Sequence, residues 1–209
     1  MPGMDEIQQS AELRQAFLRH LPKRLDGVRR RGRRLCNVGW DINALALLYD
    51  ELQLLAGSCG SHGLIDLSEK LYAVERALTP HMEPVALPDP DATRLILQTL
   101  DSLGPAAQVS AIHQALRGTR GAAVAVVGID RRAGVVTFAG VGNIAGSIIA
   151  ARGSRQLVSL NGTAGHTIYK INEFSYPWTD DARLLVPSDG LVSRWDLDRY
   201  PGLVQRHPS

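Results

Sequence analysis

The sequence predicts an α+β protein, a helical bundle over residues 1–103 followed by a mainly antiparallel sheet domain over 104–209. Three observations predict it. Apolar residues recur at helical spacing through the first half. After Leu103-Gly104-Pro105 the pattern changes to short runs of Val, Ile and Ala separated by glycine-rich turns. Few helices fit between those runs, which favours antiparallel pairing and an α+β or sandwich arrangement over a parallel sheet.

The elements follow in order. Asp5 to His20 carries Ile7, Ala11, Leu13, Ala16 and Phe17 at helical spacing, with Asp5 and Glu6 at the favourable end of the dipole. Pro22 fits the first turn of a second helix. Leu25, Val28, Leu35 and Val38 thread that helix between Lys23, Arg24, Arg29, Arg30, Arg31, Arg33 and Arg34. The basic run reads as a solvated helix face or as a contact for an acidic protein. No aromatic residue is interleaved to stack on bases, so no nucleic-acid partner is expected.

Asp41 is the expected N-cap of the next helix, Ile42 to Ala56, with Ala44, Leu45, Leu47, Leu48, Leu52 and Leu55 marking its buried face. The glycines of Gly57-Ser58-Cys59-Gly60-Ser61-His62-Gly63 either break this helix or permit close approach along it. Leu64 to Leu78 is helical again, Thr79 to Pro90 is a stop and linker, and Asp91 to Leu103 is amphipathic.

In the second half a short helix, Ala106 to Leu116, precedes a hairpin. Its strands are Ala122–Ile129 and Val135–Ala139, joined by a tight turn at Asp130 to Gly134. Ala145–Ala151, Gln156–Ser159 and Leu184–Val186 are further strands. Gly140-Val141-Gly142-Asn143-Ile144-Ala145-Gly146 follows a strand but leads into another strand. No helix N-terminus would face a pyrophosphate, so it reads as a turn or bulge and not as a dinucleotide loop. Asp180-Asp181 reads as a solvated turn. Ser188, Asp189 and His166 lack the glycine spacing of a nucleophile elbow.

Composition excludes some classes. A net charge of +2 selects no charged partner. Cys36 and Cys59 are too few for a disulfide framework, which favours a reducing cytoplasm. The N-terminus has no basic region leading into an apolar core, so no signal peptide is expected. The apolar runs fall short of the ~18–20 residues of a membrane helix, and no membrane partner is expected.

Leu52-Gln53-Leu54-Leu55-Ala56-Gly57-Ser58-Cys59-Gly60-Ser61-His62-Gly63-Leu64 resembles the centre of a histidine phosphotransfer (HPt) domain, and the resemblance spans roughly residues 5–103. Such bundles relay a phosphoryl group between two-component proteins. The position of the family's phosphoacceptor His corresponds to Gln53. A carboxamide is not a nucleophile near neutral pH, whereas a neutral imidazole is. The resemblance therefore implies the scaffold without its chemistry. Gln53, Gly57, Gly60 and His62 are the expected binding residues: small residues let a receiver-like partner approach, and His62 is the substitute acceptor if the chain is a phosphorelay intermediate.

The stretch from about Ile112 to Pro208 is similar to bacterial PPM-type serine/threonine phosphatases of the sporulation stage II protein E class. The resemblance rests on Leu116–Ala123, Thr137–Gly146, Asn161-Gly162-Thr163-Ala164-Gly165-His166 and Glu173–Trp178, with Ser188-Asp189-Gly190-Leu191 and Arg194-Trp195. It implies a partial PPM-type β-sandwich with Asp189 as a carboxylate ligand of a Mn²⁺ or Mg²⁺ pair that would activate a water. The family's early Gly-Asp strand and Asp-Gly-x-Gly-His-Gly turn have no counterpart, and the chain ends before the family's final Asp pair. One carboxylate would hold such metals weakly. Missing strands would also leave sheet edges open to pairing between copies.

The sequence thus predicts a bacterial cytoplasmic signalling protein that acts by binding a receiver domain or an anti-sigma switch protein. An active Mn²⁺- or Mg²⁺-dependent protein-serine/threonine phosphatase of a sigma-factor regulatory switch is one alternative, and a phosphorelay intermediate is the other.

Overall fold

In the computed structural model the described residues are 4–83, 87–151 and 153–187. The chain is α+β, with helices first and two small antiparallel sheets after them. The helices are α1 (Met4–Val38), α2 (Ile42–Ser61), α3 (Ile65–Leu78), α4 (Pro90–Asp101) and α5 (Pro105–Ala115). A 3-10 turn, Thr79–His81, follows α3. The strands are β1 (Val124–Asp130), β2 (Val135–Val141), β3 (Gly146–Ala150), β4 (Gly153–Leu157), β5 (Phe174–Pro177) and β6 (Arg183–Leu185).

Helices α1 to α4 close into a ring: α1 packs on α2, α2 on α3, α3 on α4, and α4 back on α1. Their core is a continuous leucine cluster that includes Leu25, Leu45, Leu52, Leu71 and Leu100. Caps fix the helix starts. The Asp41 carboxylate accepts from Asn43 N–H at 2.8 Å and Ala44 N–H at 3.0 Å, as the sequence predicts. Asp89 does the same for α4, accepting from Ala92 N–H at 2.7 Å, with Pro90 in the first turn.

Pro22 does not begin a second helix; α1 runs through it. Leu21, Leu25 and Val28, which flank it, are buried in the bundle. Burying one such side chain contributes about 1.5–3 kcal/mol. Together they outweigh the roughly 3 kcal/mol of a mid-helix proline, and tertiary packing overrides the local break.

The basic run of α1 is also only partly solvated. Arg29 is buried. Arg31 pairs with Glu51 of α2, and Arg33 pairs with Asp101 of α4 and with Asp130 of β1 at 3.5 Å. Lys23, Arg30 and Arg34 remain exposed. Helical spacing alone does not reveal that this helix has neighbours on several sides.

The sheets are ordered β1-β2-β5 and β4-β3-β6. Strand alternation sorts their faces. Val136, Phe138 and Tyr176 of the first sheet share one apolar cluster with Ile148, Leu157 and Leu184 of the second, so the sheets pack face to face. Val126, Ala139 and Val141 point the other way, onto Val109 and Ile112 of α5. The opposite side of α5, through Ala107, Ala111 and Ala115, joins the bundle core. Helix α5 is therefore the layer between bundle and sheet, directly after the Leu103-Gly104-Pro105 boundary.

Phe174–Pro177 is a strand, paired with β2 from Phe138↔Phe174 to Val135↔Pro177. Its apolar residues are too few for a periodic signal. Within the glycine-rich Gly140–Gly146 segment, residues 142–145 make the turn between β2 and β3, as expected, with Gly142 at φ +99°. At Asp180-Asp181 the chain turns, and Asp181 accepts from Ala151 N–H at 2.7 Å.

At Gly32 the Leu100 side chain of α4 packs closely on α1. A Cβ there would lie 2.6 Å from Leu100 Cδ1. Gly32→Val is predicted to destabilise the protein by about 1–3 kcal/mol through overpacking. Urea unfolding checks it; an unchanged midpoint would contradict this packing.

Candidate functional site

The α2–α3 face is built by the period of α2. Leu45, Leu48, Leu52, Leu55 and Cys59 recur every three or four residues and turn inward. The same period turns Leu47, Gln53, Leu54 and Gly57 outward. Leu47 is 70% exposed and Leu54 68% exposed. For Leu47 this reverses the expectation from sequence, which assigns it to the buried face. Seven residues separate it from Leu54, so the two lie on one outer stripe two turns apart.

Gln53 sits on this stripe, exposed, and its Nε2 donates to Glu75 Oε1 of α3 at 3.1 Å. An added Cβ at Gly57 would meet nothing within 4 Å, so the surface one turn beyond Gln53 is flat and open. Gly60 is turned toward α3: a Cβ there would lie 3.5 Å from Ser68 Oγ. That hydroxyl donates to the Ala56 carbonyl at 2.8 Å and ties the two helices together. His62 ends α2, donating its backbone N–H to the Ser58 carbonyl at 3.1 Å. Its half-buried ring lies on Phe17 of α1, centroids 4.5 Å apart. Gln53 and Gly57 therefore share one open face. Gly60 serves the α2–α3 contact, and His62 lies about 13 Å along the axis from Gln53 at 1.5 Å per residue.

Asp189 lies outside the described residues, as do Ser188 and the Arg194-Trp195 pair. Among the described residues no three His, Cys, Asp or Glu side chains come together as a metal-binding group.

The glycine-rich motifs of the second half do converge. Ala122 and Ala164 exchange backbone hydrogen bonds at 2.9 and 3.0 Å. Gly142 N–H donates to the Leu160 carbonyl at 2.8 Å, and Leu160 N–H to the Gly140 carbonyl at 2.9 Å. A Cβ on Gly121, at φ +70°, would lie 2.6 Å from the Ala164 carbonyl oxygen. These glycines let three backbone segments touch. Gly165 N–H donates to His113 Nδ1 of α5 at 3.0 Å, which anchors the loop.

No protein-family model matches the chain, and no curated protein matches it. A solved chain from the study "The bacterial stressosome: a modular system that has been adapted to control secondary messenger signaling" matches at 23% identity with a TM-score of 0.40. The match covers 59% of this chain and 55% of that one, so about half the length of the solved chain is spanned. Similarity at that level carries no inference about function. Among the described residues no helix is long and apolar enough to cross a membrane.

Both thiols are free. Burial pushes the Cys59 thiol up to about 12, against a smaller opposing pull from Arg24, and burial also raises Cys36. A thiol whose pKa is raised by folding stabilises the fold fully below the unfolded value, about 8.5, and that contribution is lost as pH rises above it. Unfolding free energy is therefore predicted to fall between about pH 8.5 and 11, with a shallower slope in Cys59→Ala. Urea titrations across that range check it; equal slopes would contradict a buried neutral thiol.

Proposed function

We propose that the chain is a bacterial signal-transduction protein that acts by binding a receiver domain through the α2–α3 face. On this reading the bundle is a phosphotransfer-like scaffold without its acceptor, joined to an incomplete PPM-type phosphatase domain. The observation that carries the proposal is the open apolar stripe of Leu47, Leu54 and Gly57 beside Gln53. Two leucines more than two-thirds exposed on one helix face form a patch that a partner would cover. Gly57 removes the side chain that would hold a partner helix away. Gln53 offers an amide already engaged by Glu75, which orients a contact and supplies no nucleophile. The resemblance to HPt domains makes a receiver domain the favoured partner over an anti-sigma switch protein.

The test is binding of the full chain to a panel of bacterial receiver domains, measured by calorimetry with and without beryllofluoride. Micromolar binding is expected, weakened at least about tenfold, or 1.4 kcal/mol, by Leu54→Glu. The helical circular dichroism of that variant should be unchanged, because Leu54 points away from the bundle core. No binding across the panel, or equal binding by Leu54→Glu, would overturn the proposal. Mn²⁺-dependent hydrolysis of a phosphoserine peptide, abolished by Asp189→Asn, would put the phosphatase reading in its place. Acid-labile phosphate lost in His62→Ala would favour the relay.

A further inference from the structure

A second feature lies away from that face, where α1, α5 and β1 meet. A cavity of about 330 Å³ opens there, lined by Lys23, Asp26 and Arg29 of α1, Pro105 and Gln108 of α5, and Val127 to Ile129 of β1. No residue of α2 or α3 lines it. Its size lies within the range of small-molecule sites, about 300–1,000 Å³.

Two buried polar side chains in its wall each keep one atom without a hydrogen-bond partner. Arg29 is only 9% exposed, and its Nε has no hydrogen-bond partner. The carboxylates nearest it electrostatically, Glu173, Asp101 and Asp26, act at a distance, and Arg33 repels it. None of the three forms an ion pair with it. Glu173 instead accepts from the Ala106 N–H at the start of α5, at 3.3 Å. Gln108 is 5% exposed; its Nε2 donates weakly to the Leu103 carbonyl at 3.4 Å, and its Oε1 accepts nothing.

A buried guanidinium without a paired counter-ion is costly, and burial lowers its pKa. The wall beside it is kept open by glycine. A Cβ on Gly128 would lie 3.8 Å from both an Arg29 Nη and Pro105 Cγ, and 2.8 Å from Thr137 Oγ1. Lys23 adds a second, exposed cation at the rim. Asp26 balances part of that charge but is engaged by Arg30 at 3.4 Å.

We infer that this cavity binds a small oxyanion metabolite that carries a hydroxyl or amino donor next to its charged group. Arg29 and Lys23 take the oxyanion, the guanidinium with its planar fork. The Asp26 carboxylate accepts from the adjacent donor. A phosphate monoester and a hydroxycarboxylate share this chemistry and both fit the volume.

Thermal shift and calorimetry on the full chain, with inorganic phosphate, glycerol 3-phosphate and glycerate as probes, test the inference. Glycerol 3-phosphate or glycerate is expected to bind with sub-millimolar Kd, and inorganic phosphate, which lacks the neighbouring hydroxyl, at least fivefold more weakly. Whichever of the two organic probes binds more tightly identifies the oxyanion. Arg29→Gln is expected to weaken binding tenfold or more. Lys23→Glu, at an exposed position that leaves the fold intact, should weaken it at least threefold. Failure of all three probes to bind at 10 mM would overturn the inference, as would unchanged affinity in Lys23→Glu or in a folded Arg29→Gln. Receiver-domain binding is read separately, so loss of one reading leaves the other intact.

Discussion

The close contact of α1 with α4 at Gly32 is the tightest constraint that a single residue type places on the bundle: only glycine leaves Leu100 its room. With no Cβ at 32, the Leu100 side chain settles directly on the α1 backbone. That close approach aligns the next residue, Arg33, between Asp101 of the bundle and Asp130 of the first strand. Partly exposed ion pairs of this kind contribute only about 0–1 kcal/mol each, so Arg33 sets direction more than stability. Apolar burial contributes more. Helix α5 buries Ala107, Ala111 and Ala115 against the bundle and Val109 against the sheet. One short helix thus belongs to both cores.

Two surfaces with different chemistry follow from this layering. The outer stripe of α2 is free because α1 and α3 cover its inner side only. The polar cavity lies between α1, α5 and β1, with Arg29 in its wall and Gly128 leaving room beside it. One surface is apolar and nearly flat, suited to a protein. The other is concave and cationic, suited to a small anion.

Much of the fold was legible in the residues themselves. The leucine period of α2, the Asp41 cap and the hairpin around Asp130–Gly134 are local signals, and local signals survive folding. Asp130 completes that turn by accepting from Arg132 and Ala133 N–H at 3.0 and 2.9 Å. What could not be read depended on distant partners. Pro22 resembles a helix start because its cost is local and the burial that offsets it is not. Arg31 and Arg33 resemble a solvated face because Glu51, Asp101 and Asp130 lie far along the chain. Gln53 and Gly57 are marked by resemblance, but Leu54 joins the site only through its exposure. Arg29 and Gln108 carry no sequence signal as a pair; only the folded chain brings them to one cavity.

If α5 is the shared layer, bundle and sheet cannot unfold independently. Native-state amide hydrogen exchange across a urea series tests this most directly. The slowest amides of α2 and of β2 are predicted to merge into one exchange isotherm with a single free energy and a single urea dependence. Two isotherms, with β2 opening at distinctly lower free energy while α2 stays protected, would contradict the shared core.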